Sequence, residues 1–100
     1  MDYLKIYNSI IEKGKNRILT GYTENHHIIP KCVGGTNNKW NMVRLTAKEH
    51  YICHMLLCEI YSEENKLKYA FWRMCNVVNN EFQNRNYKIS ASTYERIKKE

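Results

Sequence analysis

The stretch ENHHIIPKCVGG, Glu24 to Gly35, decides how the rest of this 100-residue chain is read. Two adjacent histidines run into an Ile-Ile pair, the only proline of the sequence, and then a glycine pair. Residues 24–29 read as a short strand that ends at Pro30, because proline has no N–H to give a ladder. Gly34, Gly35, Thr36, Asn37 and Asn38 form a dense cluster of turn residues. Met42-Val43-Arg44-Leu45 is a short alternating run and reads as a second strand. Thr46-Ala47-Lys48-Glu49 has the spacing of a capping box: Thr46 caps the first turn and Glu49 reaches back. A helix should run from there to about Tyr61. The order is therefore strand, glycine-rich loop, strand, helix.

Helices are expected on both sides of this unit, which makes the fold class α+β. In residues 2–13, Tyr3, Leu4, Ile6, Tyr7, Ile10 and Ile11 recur with the period of an amphipathic helix, with Gly14 as its C-terminal cap. Residues 15–23 are a connector. Ser62-Glu63-Glu64 starts a helix over about 63–78, with Leu67, Ala70, Phe71, Met74, Cys75 and Val78 as its apolar stripe. Asn79 to Asn86 reads as a polar loop. Ser92-Thr93-Tyr94-Glu95 repeats the capping pattern and opens a last basic helix over 92–99. There is no internal repeat or linker, so residues 1–100 are read as one domain.

Composition narrows the function classes. With 43% hydrophobic and 12% aromatic residues, the chain carries enough apolar material to fold. A formal net charge of +6 favours polyanionic partners, nucleic acid first among them, although charge alone also serves solubility. No apolar run approaches the roughly 20 residues of a membrane span. Nothing at the N-terminus reads as a signal peptide, so the expected setting is cytoplasmic. Cys32, Cys53, Cys58 and Cys75 form no C-x-x-C pair and are expected as reduced, mostly buried thiols.

The four histidines fall into two pairs. His50 and His54 are one helical turn apart on one face, a spacing that presents two nitrogen ligands to one divalent ion or leaves one imidazole packed and one solvated. If the hairpin folds onto that helix, strand alternation turns one of His26 and His27 toward it and the other away. One imidazole then completes a three-ligand site with an open position, the pattern of catalytic rather than structural centres. The other remains unligated and able to take a proton near neutral pH.

"HHIIPKCVGG", "NNKWNMVRL" and "TAKEHYICH" together resemble the HNH, or ββα-metal (His-Me finger), endonucleases, most of all the phage-encoded enzymes of homing type. The histidine spacing is also similar to that of the nuclease colicins. The resemblance covers residues 24–54. It implies a β-hairpin packed on a helix as the HNH nuclease domain, with His26, His50 and His54 as ligands of one divalent metal ion. It implies His27 as the general base, and Asn41 as the motif asparagine that ties the loop and orients that base. Pro30 and Gly34-Gly35 match the turn. The C-x-x-C knuckles of some members are absent, and with them any expectation of a structural zinc.

The resemblance thus implies hydrolysis of DNA phosphodiester bonds, by nicking or by double-strand cleavage. The ion is zinc, nickel, magnesium or manganese; three histidines favour zinc or nickel for affinity. Lys31, Lys39, Arg44 and Lys48 lie in or beside the motif, where they can neutralise backbone phosphates of double-stranded DNA. Trp40 reads first as a packed aromatic and second as a base-stacking one. The alternative is a metal-stabilised DNA-binding module without catalysis, which has no need of His27. A monomer and a homodimer both fit the sequence.

Overall fold

The computed structural model describes residues 1–82 and 90–99. Helix α1 spans Tyr3–Lys15, strand β1 Glu24–His27, strand β2 Met42–Leu45, helix α2 Ala47–Ile60, helix α3 Asn65–Phe82 and helix α4 Ala91–Lys99, with short 3₁₀ turns at Lys31–Val33 and Lys39–Asn41. The architecture is α+β: one antiparallel two-stranded hairpin and four helices. No helix among the described residues is long and apolar enough to cross a membrane.

The hairpin pairs Glu24 with Leu45, Asn25 with Arg44, His26 with Val43 and His27 with Met42. Directly opposed residues share a face, and successive residues alternate faces. Glu24, His26, Val43 and Leu45 therefore form the inner face, and Asn25, His27, Met42 and Arg44 the outer one. Val43, Leu45 and His26 are buried, whereas Asn25 and Arg44 are exposed.

Helix α2 is the centre of the packing. The capping box forms as its sequence implies: Glu49 N–H donates to Thr46 Oγ1 at 3.1 Å, and Thr46 N–H donates to Glu49 Oε1 at 3.0 Å. Glu49 also pairs with Arg17, which ties the connector after α1 to the start of α2. One side of α2 packs with Tyr7, Ile11, Val43, Leu45 and Leu67 around Cys53, Leu56 and Leu57. The other side offers Ala47 and Tyr51 to Phe71, Cys75 and Tyr94 of α3 and α4.

Several sequence expectations are corrected. Gly14 is not a cap; it lies inside α1 and is buried, and Asn16 caps the helix instead. A Cβ on Gly14 would sit 2.8 Å from Val43 Cγ2 and 3.0 Å from Leu45 Cδ2, so the missing side chain is what lets α1 approach β2. The third helix begins at Asn65 rather than near 63, because residues 62–64 form a turn in which Glu64 N–H donates to Tyr61 O. It continues to Phe82, so residues 79–82 are helical rather than loop. Residues 83–86 of that expected loop lie outside the described residues. Helix α4 is capped by Ser90, whose Oγ accepts from Thr93 N–H at 3.1 Å, not by Ser92. Glu95, the expected partner of that cap, instead accepts from Lys48 N–H at the start of α2. Trp40 is 60% exposed, not packed in the core.

Candidate metal centre and nucleic-acid interface

Three histidines converge between the hairpin and α2. His26 comes from the inner face of β1, and His50 and His54 from successive turns of α2. Their ring centroids are 4.8–5.3 Å apart, and one ring nitrogen from each lies within 4.8 Å of the others. Among the described residues this is the one group of three or more His, Cys, Asp or Glu side chains close enough to share an ion. None of the four cysteines belongs to it, and none is in a disulfide; Cys53 and Cys75 are buried and Cys32 and Cys58 half-buried.

Hydrogen bonds fix which nitrogen of each ring is left over. Tyr7 has one hydroxyl proton and donates it to Ile28 O at 2.7 Å. Its contact with His26 Nε2, also 2.7 Å, must therefore use the histidine proton. That assigns the proton to Nε2 and leaves the lone pair on Nδ1, which is buried and without a partner. Glu24 is ionised and accepts only, so His50 Nδ1 donates to Glu24 Oε1 at 2.7 Å and Nε2 keeps its lone pair. His54 Nδ1 is likewise buried with no partner. Orphaned buried nitrogens are costly unless something satisfies them. A divalent cation does so, and outer carboxylate and hydroxyl partners of this kind orient ligating imidazoles in metal sites. The donor set therefore fits a metal ion.

The electrostatics agree. Burial, reinforced by the neighbouring His54 and His50, pushes the His26 pKa down to about 2. Burial and His50 lower His54 to about 4. Both rings are neutral at neutral pH, the form that ligates metals. Burial tends to raise the Glu24 carboxyl, but the hydrogen bonds from His50 and Tyr22 outweigh it and hold the pKa at about 2. Glu24 is thus a fixed negative charge beneath His50, met also by Tyr94 Oη at 3.1 Å and Lys98 Nζ at 3.9 Å.

His27, one residue further along, points to the outer face. It is half-buried, and Asn37 Oδ1 accepts from its Nε2–H at 2.7 Å. Its Nδ1 is the nitrogen left to take a proton. It lies close enough to His26 and His54 to act electrostatically on both.

Asn41 is fully buried and spans the loop. Its Oδ1 accepts from Ile29 N–H at 2.8 Å, and its Nδ2 donates to Ile29 O at 3.0 Å and Thr36 O at 2.8 Å. The glycines serve the same loop. Gly34 adopts φ +99°, and a Cβ on Gly35 would lie 1.7 Å from Ile29 O. Asn41 binds the loop through these three bonds, and the side chain that meets His27 is Asn37.

Lys31, Lys39, Arg44 and Lys48 are all exposed. None of them lines the open cleft of about 420 Å³ beside the histidines, whose walls include His50, His54, Arg73, Tyr94 and Lys98. Sequence reading missed Glu24, Tyr7 and Asn37. Glu24 had a signal: two residues before His26 on a strand, it must share that residue's face. Asn37 gave none beyond its place in a turn, and Tyr7 and Tyr94 reach the site from distant parts of the chain.

The chain is 43% identical over 100 residues to probable mobile endonuclease E of Enterobacteria phage T4, covering 99% of this chain and 69% of that protein. It is 42% identical over 103 residues to probable mobile endonuclease D of the same phage, covering 98% of this chain and 39% of the relative. To probable mobile endonuclease B it is 54% identical over 80 residues, 75% of this chain and 30% of the relative. The chain thus spans well under half the length of the latter two. No family model and no solved structure matches it.

Proposed function

Because the chain belongs to the family of the phage mobile endonucleases, we propose that it is a metal-dependent DNA endonuclease of HNH type, acting on double-stranded DNA in the host cytoplasm. The observation that carries this reading is the histidine triad with its unpartnered inner nitrogens, set beside a fourth histidine that faces outward.

In this reading His26, His50 and His54 would hold one divalent ion, which would supply Lewis-acid stabilisation of the charge that develops on the phosphodiester. Zinc, nickel, magnesium and manganese are the ions to consider, with histidine ligation favouring the first two for affinity. His27 accepts the proton of the attacking water at Nδ1. Asn37 holds the proton on the other nitrogen and so keeps Nδ1 unprotonated and aimed. Asn41 serves this step by fixing the loop that carries Asn37. Glu24 keeps the His50 lone pair on Nε2, and Tyr7 keeps that of His26 on Nδ1. The exposed Lys31, Lys39, Arg44 and Lys48 meet the phosphate backbone, giving salt-dependent and largely sequence-independent affinity.

Supercoiled plasmid tests the proposal. Cleavage to open-circular or linear DNA should occur with added Mg²⁺, Mn²⁺, Ni²⁺ or Zn²⁺ and stop with EDTA. Cleavage that ignores EDTA, or no cleavage with any of the four ions, would refute it.

A further inference from the structure

The cleft beside the histidines has a second wall that the histidine chemistry does not use. Tyr69 and Arg73, one turn apart on α3, face it, and Lys98 reaches it from α4. Arg73 is exposed and has no ion-pair partner among the described residues. Lys98 is only 32% exposed, and the acid it pairs with among the described residues, Glu24, is already engaged by His50 and Tyr94. Next to Arg73 stands Trp72, stacked on Tyr69 with ring centroids 5.8 Å apart and an interplanar angle of 19°. These two aromatics are 54% and 58% exposed. Large apolar rings left in water beside a cationic cleft are the ingredients of a single-strand platform, where bases stack and cations follow the backbone.

We propose that this α3–α4 wall is a DNA strand subsite, resting on the nuclease reading above. Arg73 and Lys98 hold phosphates next to the one addressed to the histidines, and the Tyr69–Trp72 pair stacks on an unpaired base of the same strand. The volume of about 420 Å³ is on the scale of clefts that take one small-molecule-sized unit, here a nucleotide. The phosphate contacts carry no base identity, and stacking accepts any base. The subsite therefore prefers locally unpaired DNA over fully paired DNA without choosing a sequence.

Fluorescence anisotropy in EDTA separates binding from cleavage. The probes are a short labelled strand of mixed sequence and the same sequence as a blunt duplex. Trp72→Ala should weaken binding of the single strand roughly tenfold and that of the duplex by less. Trp72→Phe should restore most of the loss. Arg73→Gln should weaken both probes and lower the slope of log affinity against log salt by about one. The metal-induced rise in melting temperature should stay at the wild-type value in all three variants, which reports an intact histidine site. Variant affinities within twofold of wild type on both probes would overturn the subsite and leave the nuclease reading standing. Equal losses on single strand and duplex for Trp72→Ala would overturn the stacking role. A wild-type chain that binds neither probe and cuts no plasmid would overturn both proposals together.

Discussion

The inner and outer faces of the hairpin carry the same side chain one residue apart, to opposite ends. His26 on the inner face is 2% exposed, neutral and hydrogen-bonded through one nitrogen only. His27 on the outer face is half-buried and bonded to a turn asparagine. Nothing in the residue type separates them. The pleat of the strand does, by sending one ring into a desolvated pocket with two more imidazoles and the other toward solvent at its rim. Burial keeps the first ring neutral near neutral pH, the form in which an imidazole can ligate a metal. Partial exposure leaves the second at the solvent side of the hairpin.

Removing an inner-face ring should have the broadest effect. His54→Ala is expected to abolish both cleavage and metal-dependent stabilisation, which in wild type is worth about 4 kcal/mol at a thousandfold excess of metal over Kd. Thermal melts with and without metal measure it. A variant that keeps a wild-type metal shift would remove His54 from the ligand set.

Asn41→Ala attacks what joins the two faces. It strips three hydrogen bonds from a fully buried position and should cost about 3 kcal/mol, roughly 15 °C in melting temperature. Cleavage should fall with it, since the loop carries Asn37. A melting temperature within a few degrees of wild type would mean the loop does not depend on this side chain.

Acid should destabilise the metal-free protein through its inner face. In the metal-free protein, His54 and His26 have folded pKa values of about 4 and about 2, below the ordinary 6.5 of the unfolded chain. The unfolded state therefore binds protons that the folded state refuses. Stability is at its full value above pH 6.5 and is lost as pH falls toward 4 for His54 and toward 2 for His26. A drop of about 10 °C in melting temperature between pH 7 and pH 5 is expected. Glu24, held at about 2, adds a further loss below its ordinary 4.5. A flat profile from pH 7 to pH 5 would contradict the buried, neutral state of the triad.

The smallest expected effect concerns how closely the inner face is packed from behind. Gly14→Ala gains helix propensity but presses a methyl against Val43 and Leu45. A net loss of about 1 kcal/mol, roughly 5 °C, is expected, against no measurable change for Asn25→Ala on the exposed outer face. Equal effects at the two positions would erase the distinction between the faces.

Much of the hairpin and α2 was legible because the signals there are local. The bounds of β2, the Thr46–Glu49 box and the shared helical face of His50 and His54 each depend on residues within a few positions of one another. What sequence left hidden depends on distant parts of the chain. Gly14 looked like a cap because its partners, Val43 and Leu45, lie about thirty residues away. Ser92 looked like the cap of α4, but the helix starts a little earlier at Ser90, and Glu95 is drawn to the start of α2. The bond from Tyr94 to Glu24 spans 70 residues and leaves no periodic trace. Arg73 was readable only as one more positive charge until α3 set it beside the cleft.

In the proposed site one histidine of the adjacent pair holds the metal while the other reacts. The most direct test measures metal binding by calorimetry and plasmid cleavage on the same preparation of His27→Ala protein. Wild-type metal affinity and a melting temperature within about 2 °C of wild type are expected, with cleavage reduced on the order of 10²- to 10⁴-fold. Loss of metal binding would place His27 in the ligand set, and retained cleavage would remove it from the chemistry; either result would contradict the division of labour between the two faces.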